Sequence, residues 1–193
     1  MIFEQAAFYT SVSLGSEKIY FDTHKEIIFV WRSNVWKSSI MNGLFHKKDL
    51  VKTSARPGKT KMANIFKVSN KYYFTDLPGY GFAKLWKEFK EALDGLISWY
   101  TEERKDQIKQ VVMLIDSKLG PQQSDRDMYE FLLWLELPIT IVLSKIDKLS
   151  KNEVNKSLVF AQDAFFGQTI IPVSSLKKTG LRELELHLRD ILK

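Results

Sequence analysis

The sequence predicts a three-layer α/β sandwich built on a mixed, mostly parallel six-stranded sheet. Three observations predict it. Short apolar runs, β-branched and almost free of charge, recur along the chain and read as strands buried on both faces of a mainly parallel sheet. Between them lie stretches whose apolar residues fall three or four apart, the spacing of an amphipathic helix. The connections are short, and such strand–helix alternation packs helices on both faces of one sheet.

The strand candidates are residues 27–30, 64–68, 72–74, 111–115, 139–143 and 170–173. Only Ser69-Asn70-Lys71 separates the second from the third, which is hairpin spacing with turn residues, so one antiparallel pair is expected at a sheet edge. Trp86, Phe89, Leu93, Leu96 and Tyr100 share one helical face, and Met128, Phe131, Leu132 and Leu135 another. The last helix is expected to bury Leu181, Leu184, Leu188 and Ile191 opposite Arg182, Glu185 and Arg189. Trp86 and Trp134 fall on apolar helix faces and Trp99 beside Tyr100, where packing is the expected role. No repeat, low-complexity run or linker interrupts the chain, so residues 1–193 read as one domain with an N-terminal extension over about 1–24.

Composition narrows the function classes. With 45% hydrophobic and 27% charged residues among 193, a disordered chain, a collagen-like fibre and a disulfide scaffold are excluded. The net charge of +6 suits RNA or an anionic ligand, although many ordinary proteins carry as much. Absence of cysteine removes disulfides and thiolate metal sites and fits the cytoplasm. No run approaches the roughly 20 apolar residues of a membrane span. Residues 1–14 carry Glu4 and no basic segment, a poor signal peptide. The expectation is a cytoplasmic protein without a membrane partner, monomeric by default for this architecture.

In open sheets of this kind ligands sit beyond the carboxyl ends of the strands. The first strand runs into Trp31-Arg32-Ser33-Asn34-Val35-Trp36-Lys37-Ser38-Ser39, where a phosphate-binding loop would read Gly-x-x-x-x-Gly-Lys-Ser. Lys37 and Ser38 are in place to reach phosphate oxygens and a magnesium ion at a helix N-terminus; both glycine positions hold tryptophan. Asp76-Leu77-Pro78-Gly79 comes after the third strand; such an Asp can hold a magnesium-bound water and the Gly N–H can reach a γ-phosphate. Ser144-Lys145-Ile146-Asp147 comes after the fifth, where a lysine stem can pack along a purine and Asp147 can accept the two N–H donors that guanine has and adenine lacks. Val173-Ser174-Ser175-Leu176 ends the sixth and can offer backbone N–H to the guanine carbonyl. Singly, each reads as well as a turn or helix cap. Four in order, each at a strand's carboxyl end, make a nucleotide site.

These residues resemble the TRAFAC class of P-loop GTPases and, within it, the EngB (YihA/YsxC) family of ribosome-assembly GTPases. Arg32-Ser33-Asn34-Val35, the stretch from Thr53 through Gly58, Lys59 and Thr60, and the stretch from Asp76 through Tyr80 and Gly81 to Lys84 carry the likeness most specifically. The resemblance implies a Ras-like fold and slow, Mg²⁺-dependent GTP hydrolysis. It also implies a role in large ribosomal subunit assembly, needed for normal growth, cell division and septation. By position, Lys37 would contact phosphates, Ser38 and Thr60 would bind Mg²⁺, Asp76 would support its waters, and Lys145 and Asp147 would select guanine. Asn34 matches the asparagine that in related GTPases helps hold K⁺. Tyr80 stands where Ras has the water-orienting glutamine, so no catalytic base is assigned. Lys47, Lys48, Lys52, Arg56, Lys59 and Lys61 make the Thr60 region basic, which suits docking on ribosomal RNA.

Trp31 and Trp36 depart from the pattern. Loop glycines permit a tight turn and close approach of backbone to phosphate, and indoles there should weaken or abolish GTP binding. Three readings stay open. The chain is a pseudo-GTPase that serves as a ribosome- or RNA-binding module, or it binds nucleotide along an altered loop path. Alternatively, the two positions are glycine in the living cell, because UGA is tryptophan in one variant genetic code and glycine in another.

Overall fold

The computed structural model describes residues 2–16, 23–32, 37–52, 62–81 and 87–193, with residues 87–93 described by backbone alone. Among the described residues, seven strands form one sheet: β1 (Ala6–Val12), β2 (Lys25–Trp31), β3 (Ala63–Val68), β4 (Tyr72–Asp76), β5 (Ile108–Asp116), β6 (Ile139–Ser144) and β7 (Thr169–Pro172). Their order across the sheet is β1-β3-β4-β2-β5-β6-β7. The pairs β2–β4, β2–β5, β5–β6 and β6–β7 are parallel, whereas β1–β3 and β3–β4 are antiparallel. The α-helices among the described residues are α1 (Lys37–Leu44), α2 (Lys87–Glu103), α3 (Gln123–Trp134), α4 (Lys151–Ala164) and α5 (Leu181–Leu192).

The predicted class is the one found, with one strand more. The seventh, β1, lies in the stretch read as an extension, and it pairs with β3. Its sequence, AAFYTSV, mixes polar and apolar residues and is buried only at its two ends, so it lacks the apolar run that marks a buried strand. Consequently the β3–β4 hairpin is present, with Ser69 and Asn70 at positive φ in its turn, but β1 takes the edge position expected of it.

Two apolar clusters fill the faces of the sheet. One gathers Ile28, Val30, Val111, Met113, Ile141 and Leu143 with Ile97 and Tyr100 of α2 and Leu132 of α3. The other gathers Ile27, Phe29, Val112, Leu114 and Val142 with Ile40 and Met41 of α1 and Leu184 and Leu188 of α5. Alternate residues of each central strand therefore serve opposite faces, as period-two geometry requires. On α5 the buried set is Leu181, Leu184, Glu185, Leu188 and Leu192. Glu185, expected on the solvent side, is buried because His46 (3.4 Å) and Arg182 (3.2 Å) hold its carboxylate; Ile191 is only partly buried. Trp134, expected to pack, is 71% exposed at the end of α3. Leu96 and Tyr100 are buried as predicted; Trp86 lies outside the described residues.

Towards the amino ends of the strands, Glu26 is fully buried. It accepts from Arg104 Nε (2.9 Å), Tyr100 Oη (2.5 Å) and the Thr75 hydroxyl. A buried carboxylate needs such partners to offset its lost hydration, and this one ties β2 and β4 to the end of α2.

Candidate functional site

Strand register brings the predicted residues to one edge of the sheet. Phe29 of β2 lies opposite Asp76 of β4, Trp31 opposite Leu114 of β5, Asp116 opposite Ser144 of β6, and Leu143 opposite Pro172 of β7. The segments after β2, β4, β6 and β7 thus leave the same carboxyl edge, as expected for a parallel sheet.

At the β2–β4 end, Lys37 opens α1 and its ammonium donates to Asp76 Oδ2. The same ammonium lies 3.7 Å from the centroid of the Trp31 ring. Trp31 is 7% exposed and belongs to the apolar cluster that includes Ile40 and Met41. Cation–π attraction and the ion pair therefore hold Lys37 from two sides. Burial pushes the Asp76 carboxyl up to about 6, against the pull of Lys37 and, less strongly, Asn64. Burial likewise lowers the Lys37 ammonium, opposed by Asp76. Asp76 Oδ1 is buried and takes no hydrogen bond from the described residues. Ser38 is buried and donates to the Lys52 carbonyl at 3.3 Å. Leu77 and Pro78 are buried and Gly79 half-buried, with Leu77 N–H bonded to Phe29 O (3.3 Å) and Tyr80 N–H to Trp31 O (3.0 Å).

At the β6–β7 end, Lys145 adopts a left-handed backbone (φ 63°) at the start of a short 3₁₀ turn, Ile146–Lys148. That turn carries Asp147 back toward the segment after β7. The buried Ser174 hydroxyl donates to Asp147 Oδ1 at 2.5 Å and accepts from Lys177 N–H at 3.0 Å. Ile146 N–H reaches Val173 O at 3.5 Å, which ties the two segments directly. Ser144 is buried, its hydroxyl donating to Ile115 O (2.9 Å). Asp147, Ile146, Ser174 and Lys177 line one depression. Ser39 of α1 and Ser175 line a second with Asn42, His46 and Lys48.

All the predicted residues that are described gather at this edge. Ser33, Asn34, Val35, Trp36, Gly58, Lys59 and Thr60 lie outside the described residues, as do Arg56 and Lys61. Of the basic segment, Lys47, Lys48 and Lys52 are exposed, and Lys47 donates to Ala6 O at 2.6 Å. Two acidic residues escape a reading of the sequence alone. Asp116 pairs with Lys145 (2.7 Å) and accepts Lys118 N–H (3.0 Å); it ends β5, so its place at a strand's carboxyl end is the signal that could have found it. Asp125, on α3, sits 3.7 Å from Arg32 and receives the Tyr80 hydroxyl at 3.0 Å; no local pattern marks it.

Comparison with known proteins decides the family. A family described as 50S ribosome-binding GTPase matches residues 26–145. The probable GTP-binding protein EngB of Clostridium kluyveri is 39% identical over 89% of this chain and 88% of its own length. That of Thermotoga petrophila is 43% identical over 87% of each. The chain belongs to the EngB family of P-loop GTPases. An EngB crystal structure superposes with a TM-score of 0.73 at 26% identity, covering 86% of this chain and 98% of the other. Era, solved with MgGDPNP and a segment of 16S ribosomal RNA, shares the fold at a TM-score of 0.71 and 22% identity over 89% of this chain and 57% of its own. The chain therefore shares the fold of its EngB relatives over most of its length.

Proposed function

We propose that the chain is a GTP-binding and slowly GTP-hydrolysing switch of the cytoplasm, a single domain that assists large ribosomal subunit assembly. One observation carries the reading: the Lys37–Asp76 pair stands at the same sheet edge as the Lys145–Asp116 and Asp147–Ser174 pairs. The first is chemistry for phosphates, the other two for a purine. Lys37 exchanges Asp76 for phosphate oxygens, a substitution that burial favours by weakening both ionised partners. Asp147, fixed by Ser174, accepts the paired guanine N–H donors, and the residues from Val173 to Ser175 frame its carbonyl. The ribosomal partner rests on the description of the matching family, and the exposed lysines 47, 48 and 52 suit its RNA.

The residues also suit Mg²⁺. Ser38 offers a hydroxyl oxygen, and Oδ1 of Asp76, unbonded among the described residues, is a buried acceptor ready for a metal-bound water; hard oxygen donors are what magnesium takes. Thr60 would complete the set. When bound, the ion supplies neutralisation of phosphate charge. No helix among the described residues is long and apolar enough to cross a membrane.

A second reading, a nucleotide-free pseudo-GTPase, draws on Trp31, whose indole is packed in the core and holds the Lys37 ammonium that would otherwise meet phosphate. Titration of the protein purified from its own source separates the two. GTP binding in Mg²⁺, with ATP unbound at the same concentration, is the expected result. A folded protein that ignores GTP overturns the switch. The mass of its tryptic peptide Ser33–Lys37 states whether residue 36 is tryptophan or glycine.

A further inference from the structure

The side chain of the residue after Gly79 is turned into the fold, toward α3. Tyr80 is 3% exposed and its hydroxyl donates to Asp125 Oδ1 at 3.0 Å. Asp125 is itself 1% exposed, and its other oxygen accepts Gln122 N–H at 2.8 Å, capping α3, and faces Arg32 Nε at 3.7 Å. Three parts of the fold thus meet on one carboxylate: Arg32 from the segment after β2, Tyr80 from the segment after β4, and the first turn of α3. The next residue, Gly81, has φ +75°, and a Cβ there would lie 2.9 Å from Ser124 Oγ and 3.0 Å from Arg32 Cγ. The chain leaves the cluster pressed against α3 and Arg32, at a place where a side chain would not fit.

We propose that Asp125 is a positioning residue for GTP hydrolysis, holding Tyr80 and Arg32 together so that the Gly79 N–H stays aimed at the terminal phosphate. This rests on the GTPase reading for its chemistry but not for its geometry. The backbone bonds from Leu77 to Phe29 and from Tyr80 to Trp31 fix the segment in the sheet's plane, and the phenol–carboxylate bond fixes its far end. Tyr80 is spent as an anchor, so it orients no water. A hydrogen bond to a buried carboxylate is strong enough to hold such a segment in one place, and a donor aimed in advance at developing charge accelerates the chemical step.

The test uses the full chain with Tyr80→Phe, Asp125→Asn and the double substitution, its turnover arm in the Trp31→Gly, Trp36→Gly background that opens the phosphate loop. In the nucleotide-free protein, amide hydrogen exchange at Tyr80 should quicken roughly tenfold or more in each single variant, as loss of a hydrogen bond to a charged group implies. The double variant should be no faster than the faster single one, since the pair acts as a unit. Amides of β5 should not change. An unaltered Tyr80 amide, or equal acceleration through β5, overturns the anchor. In GTP turnover, kcat should fall several-fold with KM held; a raised KM with kcat held would assign Asp125 to binding and overturn the positioning role. A protein that exchanges as expected yet does not turn over GTP contradicts the GTPase reading and the catalytic role together, while the anchor stands.

Discussion

Burial governs how Lys37 and Asp76 behave. Asp76 is held above the ordinary carboxylate range, at about 6, by loss of solvent. Between about pH 4 and pH 6 the folded protein therefore binds a proton that the unfolded chain has released. By linkage, this group's contribution to stability is present below the unfolded value and is lost as pH rises through the folded one. Asp76→Asn removes that dependence. Urea unfolding at pH 4.5 and pH 6.5 should show wild-type protein losing on the order of 2 kcal/mol relative to the variant. Equal pH profiles would contradict the assignment. The same burial makes the pair a poor resting state for two charges. At the opposite end of the site, Asp147→Asn should cost most of any preference for GTP over ATP, measured by competition, because an amide presents one acceptor where guanine needs two.

Elements rather than single residues decide which parts of this fold the sequence discloses. β2, β5 and β6 are buried on both faces and advertise themselves as apolar runs. β1 is an edge strand buried only at Ala6 and Val12, so pairing with β3, not its own composition, makes it a strand. Trp134 and Glu185 depart from expectation for a related reason: helical periodicity gives a face, but neighbours decide whether that face is covered. Trp134 lies beyond the sheet's cover, whereas His46 and Arg182 make burial of Glu185 tolerable. Deleting residues 1–12 should leave the fold formed but expose the β3 edge, with aggregation visible by light scattering. Arg104→Ala should cost about 3–5 kcal/mol in urea unfolding, since it strands Glu26 as a buried charge without its ion partner.

Across the whole molecule, the parallel sheet converts four separated sequence stretches into one edge. This part of the site was legible because each stretch comes directly after an apolar run, and the rule that ligands lie beyond strand carboxyl ends needs only order along the chain. Asp125 and Glu26 were not legible, because their partners are brought to them by packing between elements distant in sequence. Trp31 is the point at which sequence and site diverge most. Its indole joins the core cluster with Ile40 and Met41 and at the same time holds Lys37, the lysine proposed to meet phosphate. Replacing it trades core packing for ligand access. The most direct measurement is therefore a titration of the Trp31→Gly, Trp36→Gly protein with GTP and with ATP in Mg²⁺. The account predicts saturable GTP binding and none for ATP at the same concentration. A folded double variant that binds neither nucleotide would contradict it.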